Sequence, residues 1–231
     1  MPKIKITKKK LKEPDEFISF ADKGFLFLKE HSKRITRGAI VLILIILSVF
    51  LYYRWEKGNE EEASLKFSLA METFQGVNAP LREGPPENVK DLVEKFDEVI
   101  VKFPRTSSGK LSFLFKGNLQ LRLGDFEGAV KSYETFLEKG GKEKSYRIFA
   151  LEGLGYAYEG KKEYEKALQA YQKTLEAGGG FRLANGYAGA GRCYERLGKN
   201  KEALESYRAF LKVSQGSSMD NTILRKISLL E

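Results

Sequence analysis

The chain has 231 residues, 42% of them hydrophobic and 31% charged, with a formal net charge of +9, which is enough for one good-sized domain or two small ones. With Cys193 and His31 the only residues of their kinds, an intramolecular disulfide is excluded, a Cys/His zinc site lacks ligands, and the region after the tail has no histidine general base. The basic excess sits in residues 1–37, with eleven Lys and Arg against five Asp and Glu, while the remainder carries 29 against 26; the part expected to fold therefore lacks the basic stripe of a nucleic-acid domain.

Residues 1–34 read as a basic tail. Within it, DEFISFADKGFLFLKE spaces Phe17, Phe20, Phe27 and Leu28 at roughly helical intervals between charges, so the stretch can lie on a membrane leaflet as an amphipathic helix. A disordered basic tail with one sticky segment is the alternative, chiefly for residues 1–14.

Residues 39–53 form an apolar run broken only by Ser48. It is preceded by too long a segment for a secretory signal and has no small-residue cleavage site after it; a lipoprotein anchor needs a cysteine there, and Cys193 is far away. A core helix of a soluble domain would carry polar residues at helical spacing, and this run is apolar all round. Taken as one helix, residues 35–55 cover roughly 31 Å, enough for a hydrocarbon core of about 30 Å. Arg37 can snorkel at one end, and Tyr52, Tyr53 and Trp55 suit the opposite headgroup layer. The expectation is a single transmembrane helix at residues 35–55. Lys23, Lys29, Lys33, Arg34 and Arg37 outnumber Arg54, Lys57 and Lys66 near the two ends, so the N-terminus is expected in the cytoplasm. In a bacterium that makes the chain a single-pass inner-membrane protein with its C-terminal domain in the periplasm.

Past the span, Glu60, Glu61 and Glu62 read as the acidic N-terminus of a helix whose apolar face is Ala63, Phe67, Ala70, Met71 and Phe74. Pro85, Pro86 and Glu87 open the next, with Leu92, Val93, Phe96, Val99, Ile100 and Phe103 on one face and Pro104 beyond its end. Three similar segments follow. Gly117, Gly155 and Gly191 fall in one column, Ala129, Ala167 and Ala203 in another, and Tyr133, Tyr171 and Tyr207 in a third, at spacings of 38 and then 36. A small residue lets two helices approach, and an aromatic one turn after an alanine fills the groove on the same face. The wider turns are expected at Lys139-Gly140-Gly141 and Gly178-Gly179-Gly180. NTILRKISLLE reads as a terminal capping helix.

These columns resemble the tetratricopeptide repeat, carried best by the middle copy with Leu151, Leu154, Gly155, Tyr158, Tyr164, Ala167 and Tyr171. The resemblance implies an all-α chain, with the N-terminal span followed by a helical solenoid over residues 56–231. It further implies that the first helix of each pair lines the concave side, with Asn118, Arg122, Tyr156, Glu159, Arg192 and Glu195 as candidates for a partner-binding groove; for each, an ordinary solvated residue is the plain alternative. The clamp for chaperone-tail carboxylates found in some such repeats needs a lysine where this chain has Leu114.

Enzyme chemistry finds little here. GLGYAYEG and AGAGRCY contain Gly-x-Gly, but neither completes a phosphate-loop pattern nor follows a strand, and both coincide with the helix-packing column. Cys193 reads as a small packing residue, and no carboxylate pair stands out. No catalytic residue, cofactor, metal, nucleic acid or small-molecule substrate is expected.

Over nearly its full length the chain resembles the YfgM-like inner-membrane tetratricopeptide proteins, ancillary to the Sec translocon. The residues that carry this are the tail stretch DEFISFADKGFLFLKEHSKR, the uncleaved anchor, EEASLKFSLAMETF, the repeats and LRKISLL. It implies a non-catalytic partner of translocon subunits and periplasmic chaperones, assisting exported polypeptides. The alternative is a structural scaffold for another envelope assembly, such as a division, pilus or outer-membrane biogenesis complex.

Overall fold

The computed structural model of the chain describes residues 16–78, 86–140, 143–178, 182–214 and 216–231, with the side chains of 16–22, 75–78 and 86–88 left out. The disordered-tail reading of residues 1–14, the side chains of Phe17 and Phe20, Pro85 of the expected helix opening, and Gly141, Gly179 and Gly180 of the wider turns fall outside that description. Among the described residues every regular element is a helix. They divide into two units, residues 1–56 and 57–231.

The first unit holds α1, Glu16–Glu30, and the N-terminal part of α2, Ser32–Asn78. With no proline inside it, α2 runs for 47 residues, about 70 Å at the α-helical rise. Over Ser32–Phe74 it is the one described helix long and apolar enough to cross a membrane. Its large apolar side chains from Ile35 to Trp55 are 41–64% exposed. The aliphatic hydroxyls of residues 35–55 bond back to their own helix, Thr36 Oγ1 to the Ser32 carbonyl and Ser48 Oγ to the Leu44 carbonyl, which satisfies both groups within the segment.

The acidic run corrects the sequence reading. Glu60, Glu61 and Glu62 lie in the middle of α2 and begin no helix. Glu60 caps a different helix instead: its carboxylate accepts from the backbone N–H of Ser107 at 2.8 Å and of Ser108 at 3.3 Å, where α4, Ser107–Arg122, begins. The negative charge still meets the positive end of a helix dipole, but across tertiary space.

In the second unit the rest of α2 packs with α3, Pro86–Lys102, around Ala63, Ala70, Leu92, Phe96 and Val99, all 1% exposed or less. A cluster of Phe67, Phe74, Phe96 and Phe115, with ring centroids 5.3–6.4 Å apart, joins this pair to α4. Edge-to-face rings at such distances add to the area they bury.

Three hairpins follow: α4 with α5, Phe126–Lys139; α6, Lys144–Gly160, with α7, Tyr164–Ala177; and α8, Arg182–Arg196, with α9, Asn200–Ser214. Each turn inside a hairpin closes identically. Asp125, Glu163 and Lys199 donate their N–H groups to the carbonyls of Gln120, Tyr158 and Tyr194, while Gly124, Lys162 and Gly198 donate to Leu121, Glu159 and Glu195. This paired bonding satisfies the last carbonyls of the first helix and requires a left-handed residue at its end. Gly124 and Gly198 take φ of 74° and 72°, and Lys162 takes 63° in the same place. Asp125 then caps α5 through its side chain, accepting from Gly128 N–H at 2.9 Å, whereas Glu163 makes no side-chain cap bond to α7.

The glycine and tyrosine columns meet in three dimensions. Tyr133, Tyr171 and Tyr207 are fully buried. A Cβ placed on Gly155 or Gly189 would come within 2.6 and 2.5 Å of the Tyr171 ring, and one on Gly117 or Gly153 within 2.8 and 2.4 Å of a Tyr133 ring atom. Residues two apart on a helix point to nearly opposite sides. In each Gly-x-Gly of α6 and α8 the second glycine therefore receives the tyrosine of its own hairpin, and the first receives that of the hairpin before. The motif is a two-sided packing slot. After the last hairpin α10, Asp220–Leu230, takes over this role and buries Ile223 and Ile227 against Tyr207 and Phe210, while Leu224 and Leu229 stay 51% and 77% exposed.

Candidate partner-binding surface

The first helices of the hairpins, α4, α6 and α8, approach one another directly, and no comparable contact joins α5, α7 and α9. Side chains aligned along α4, α6 and α8 thus converge on one face.

On that face the buried tyrosines end in polar bonds. The Tyr171 hydroxyl donates to Glu159 Oε1 at 2.5 Å, and Arg192 donates to the same carboxylate through Nη2 at 2.7 Å and Nε at 3.0 Å. Glu159 belongs to α6 and Arg192 to α8, so the pair bridges successive hairpins. The two-pronged geometry matches a planar guanidinium to a carboxylate. The arrangement recurs one hairpin on: the Tyr207 hydroxyl donates to Glu195 at 2.7 Å, and Lys226 of α10 donates to the same oxygen at 2.6 Å. In the first hairpin the Tyr133 hydroxyl donates to Asn118 at 2.7 Å.

These surroundings set the protonation states. Burial and the Glu159 charge push the Tyr171 phenol far above its ordinary value, so it stays protonated: it donates to Glu159 and accepts from Arg192 Nη2 at 3.3 Å. Burial works against the charge on Arg192, but the hydrogen bond and charge of Glu159 outweigh it and raise its pKa. For Glu195, too, burial works one way and raises its pKa, while hydrogen bonds from Lys226 and Tyr207 prevail and hold it below the usual carboxylate range. Burial, then the Glu159 charge, pushes the Cys193 thiol up to about 12, which keeps it from being a nucleophile near neutral pH. Among the described residues no group of three or more His, Cys, Asp or Glu could hold a metal ion.

The groove candidates thus separate. Glu159 and Arg192 come together around Tyr171, with Tyr156 alongside: its ring stands edge-on to Tyr171 at 5.7 Å and lies 5.3 Å from the Arg192 guanidinium. Glu195 joins Tyr207 and Lys226. Asn118 serves Tyr133 alone among these, and Arg122 lies exposed in the last turn of α4. Counted from the glycine column, Arg122 stands one residue past the position of Glu159 and Glu195, which Leu121 fills. Of the six, Tyr156 is the exposed aromatic, at 38%.

A second charged cluster went unread in the sequence. Glu152, buried on α6, accepts from Arg182 Nη1 at 2.5 Å and from Asn185 Nδ2 at 2.7 Å, and the Arg182 guanidinium sits 3.1 Å from the centroid of the Phe149 ring. Phe149 is itself 41% exposed. One signal was present: in the column three before the glycines, Glu152 stands where the other copies have Leu114 and Ala188. A carboxylate in an apolar column needs a partner. The face that results carries paired charges around two accessible rings, Phe149 and Tyr156.

Comparison with known proteins agrees with the hairpin geometry. The family profile described as a tetratricopeptide repeat-like domain matches residues 26–231. No curated protein matches the chain significantly. Among solved structures, the crystal structure of MamA superposes with a TM-score of 0.54 at 19% identity, covering 62% of this chain and 77% of that one. A tetratricopeptide repeat protein from Parabacteroides merdae ATCC 43184 gives 0.56 at 19% identity over 72% of this chain and 60% of its own length. At such identities the likeness is one of fold.

Proposed function

Since the chain belongs to the tetratricopeptide repeat-like domain family, a fold that serves as a scaffold for protein partners, we propose that it is a non-catalytic docking protein anchored at the bacterial inner membrane. In this reading residues 35–55 form a single-pass anchor with the N-terminus in the cytoplasm. The solenoid of residues 56–231 works in the periplasm, assisting the Sec translocon and periplasmic chaperones with exported proteins.

The observation that carries the reading is α2 itself. Its large apolar side chains from Ile35 to Trp55 are exposed on every side, and it is the one described helix long and apolar enough to cross a membrane. Large apolar side chains exposed all round a helix are stable in hydrocarbon and costly in water. The chemistry of the face formed by α4, α6 and α8 supports the kind of partner. Glu152 with Arg182, and Glu159 with Arg192, neutralise each other, which leaves Phe149 and Tyr156 as its accessible apolar surface. Such a surface favours apolar segments of unfolded chains over charged peptides.

The test is photocrosslinking in native membranes from probes at Phe149 and Tyr156. The reading expects SecY-type channel subunits and exported chains among the products, with yields little changed by high salt because exposed charge contributes little. Recovery of one fixed envelope assembly without them would favour the scaffold instead. Topology is tested separately: protease added outside spheroplasts should cut the solenoid and spare the tail.

A further inference from the structure

The anchor does not account for every exposed apolar side chain in the first unit. Phe25, Leu26, Phe27 and Leu28 of α1 are 55–67% exposed, four large apolar residues in succession. Residues 35–55 already take up about 31 Å, the whole hydrocarbon thickness of about 30 Å. A stretch seven residues or more before the span therefore lies outside the core, on the side bounded by Lys33, Arg34 and Arg37. Left in water, these side chains would form a patch of the kind that marks an interaction surface.

Three features identify what covers it. Helical spacing places Phe25, Phe27 and Leu28 around Gly24 on one side, with Lys23, Lys29 and Glu30 opposite and Leu26 among them. Residues 23–37 carry Lys23, Lys29, Lys33, Arg34 and Arg37 against Glu30, and their side chains are exposed. His31 separates α1 from α2, its ring stacked on Phe27 at 4.5 Å and its Nδ1 within 3.2 Å of the Phe27 carbonyl. A short helix with large apolar side chains on one face and cations beside it matches the boundary between acyl chains and anionic headgroups.

We propose that α1 is an interfacial helix that binds the anionic phospholipid surface on the cationic side of the span, with Phe25, Phe27 and Leu28 seated at headgroup depth and Lys23, Lys29, Lys33 and Arg34 on the phosphates. The proposal rests on the anchor reading above. It gives the tail a function of its own: α1 holds the residues before it against the leaflet and makes their position depend on lipid charge.

The full chain tests this, reconstituted on a Cys193→Ala background with a single environment-sensitive fluorophore at Phe27→Cys or, separately, at Ile43→Cys. Vesicles are phosphatidylcholine alone or with about a quarter phosphatidylglycerol. The Phe27 reporter is expected to shift to the blue and to be quenched by headgroup-labelled lipid, at least about two-fold more strongly in the anionic vesicles. Salt at about 0.5 M should erase that difference. A Phe27 reporter that stays water-like in anionic vesicles while the Ile43 reporter is buried in lipid overturns the proposal and leaves the anchor standing. An Ile43 reporter that also stays water-like overturns both. A Phe27 shift that needs an added protein fraction overturns the lipid assignment in favour of a protein partner.

Discussion

Tyr133 and Tyr171 occupy equivalent slots, each buried between two glycines, yet their hydroxyls end in different chemistry. The first donates to an asparagine of its own hairpin; the second donates to a carboxylate that an arginine of the next hairpin also holds. Tyr207, with Glu195 and Lys226, repeats the second arrangement at the C-terminal end. The glycine slot is thus the shared structural element, and the ion pair is an addition that links neighbours. In a solenoid, where each repeat contacts only those beside it, such additions set how strongly each interface couples.

The largest expected effect tests the shared element. Tyr133→Ala and Tyr171→Ala should each destabilise the solenoid by about 3–5 kcal/mol, since each empties a fully buried ring site. Denaturant midpoints measure this, and unequal losses would break the equivalence. The added element comes next. Arg192→Met leaves Glu159 half-buried with only the tyrosine donor, and should cost about 2 kcal/mol. Asn118→Leu, which removes one neutral hydrogen bond, should cost about 1 kcal/mol.

Acid sharpens the comparison further. The depressed pKa of Glu195 means that its contribution is fully present above the unfolded carboxylate value of about 4.3 and is lost as pH falls through the lower folded value. Glu195→Gln should therefore melt below the parent chain near neutrality and alongside it at strongly acidic pH. Thermal melts across that range decide it. The smallest effect concerns the turns. Lys162 holds the left-handed position that is glycine in the other two hairpins, so Lys162→Gly should raise stability by about 0.5 kcal/mol and Gly198→Ala should lower it by about 1 kcal/mol.

Much of the solenoid was legible because its packing is periodic. Of the apolar face expected on α3, Leu92, Val93, Phe96, Val99, Ile100 and Phe103, the structure buries Leu92, Phe96, Val99 and Phe103 and leaves Val93 and Ile100 half-buried. The glycine, alanine and tyrosine columns were visible because each hairpin must solve the same close approach. The candidate site was less legible. Asn118, Glu159 and Glu195 look alike as polar residues on a first helix, but which of them gains a cation depends on the helix of the following hairpin.

Sequence alone determined the helical class, the repeat register and the apolar run of residues 39–53, because side-chain periodicity and length along one helix are local properties. Tertiary structure decided the partners. Glu60 caps α4 across 47 residues, Glu152 finds Arg182 across 30, and each Gly-x-Gly proved to face two different tyrosines. Hydrogen bonds and ring contacts hold only within a few ångströms, and which groups come that close is fixed by how the hairpins stack.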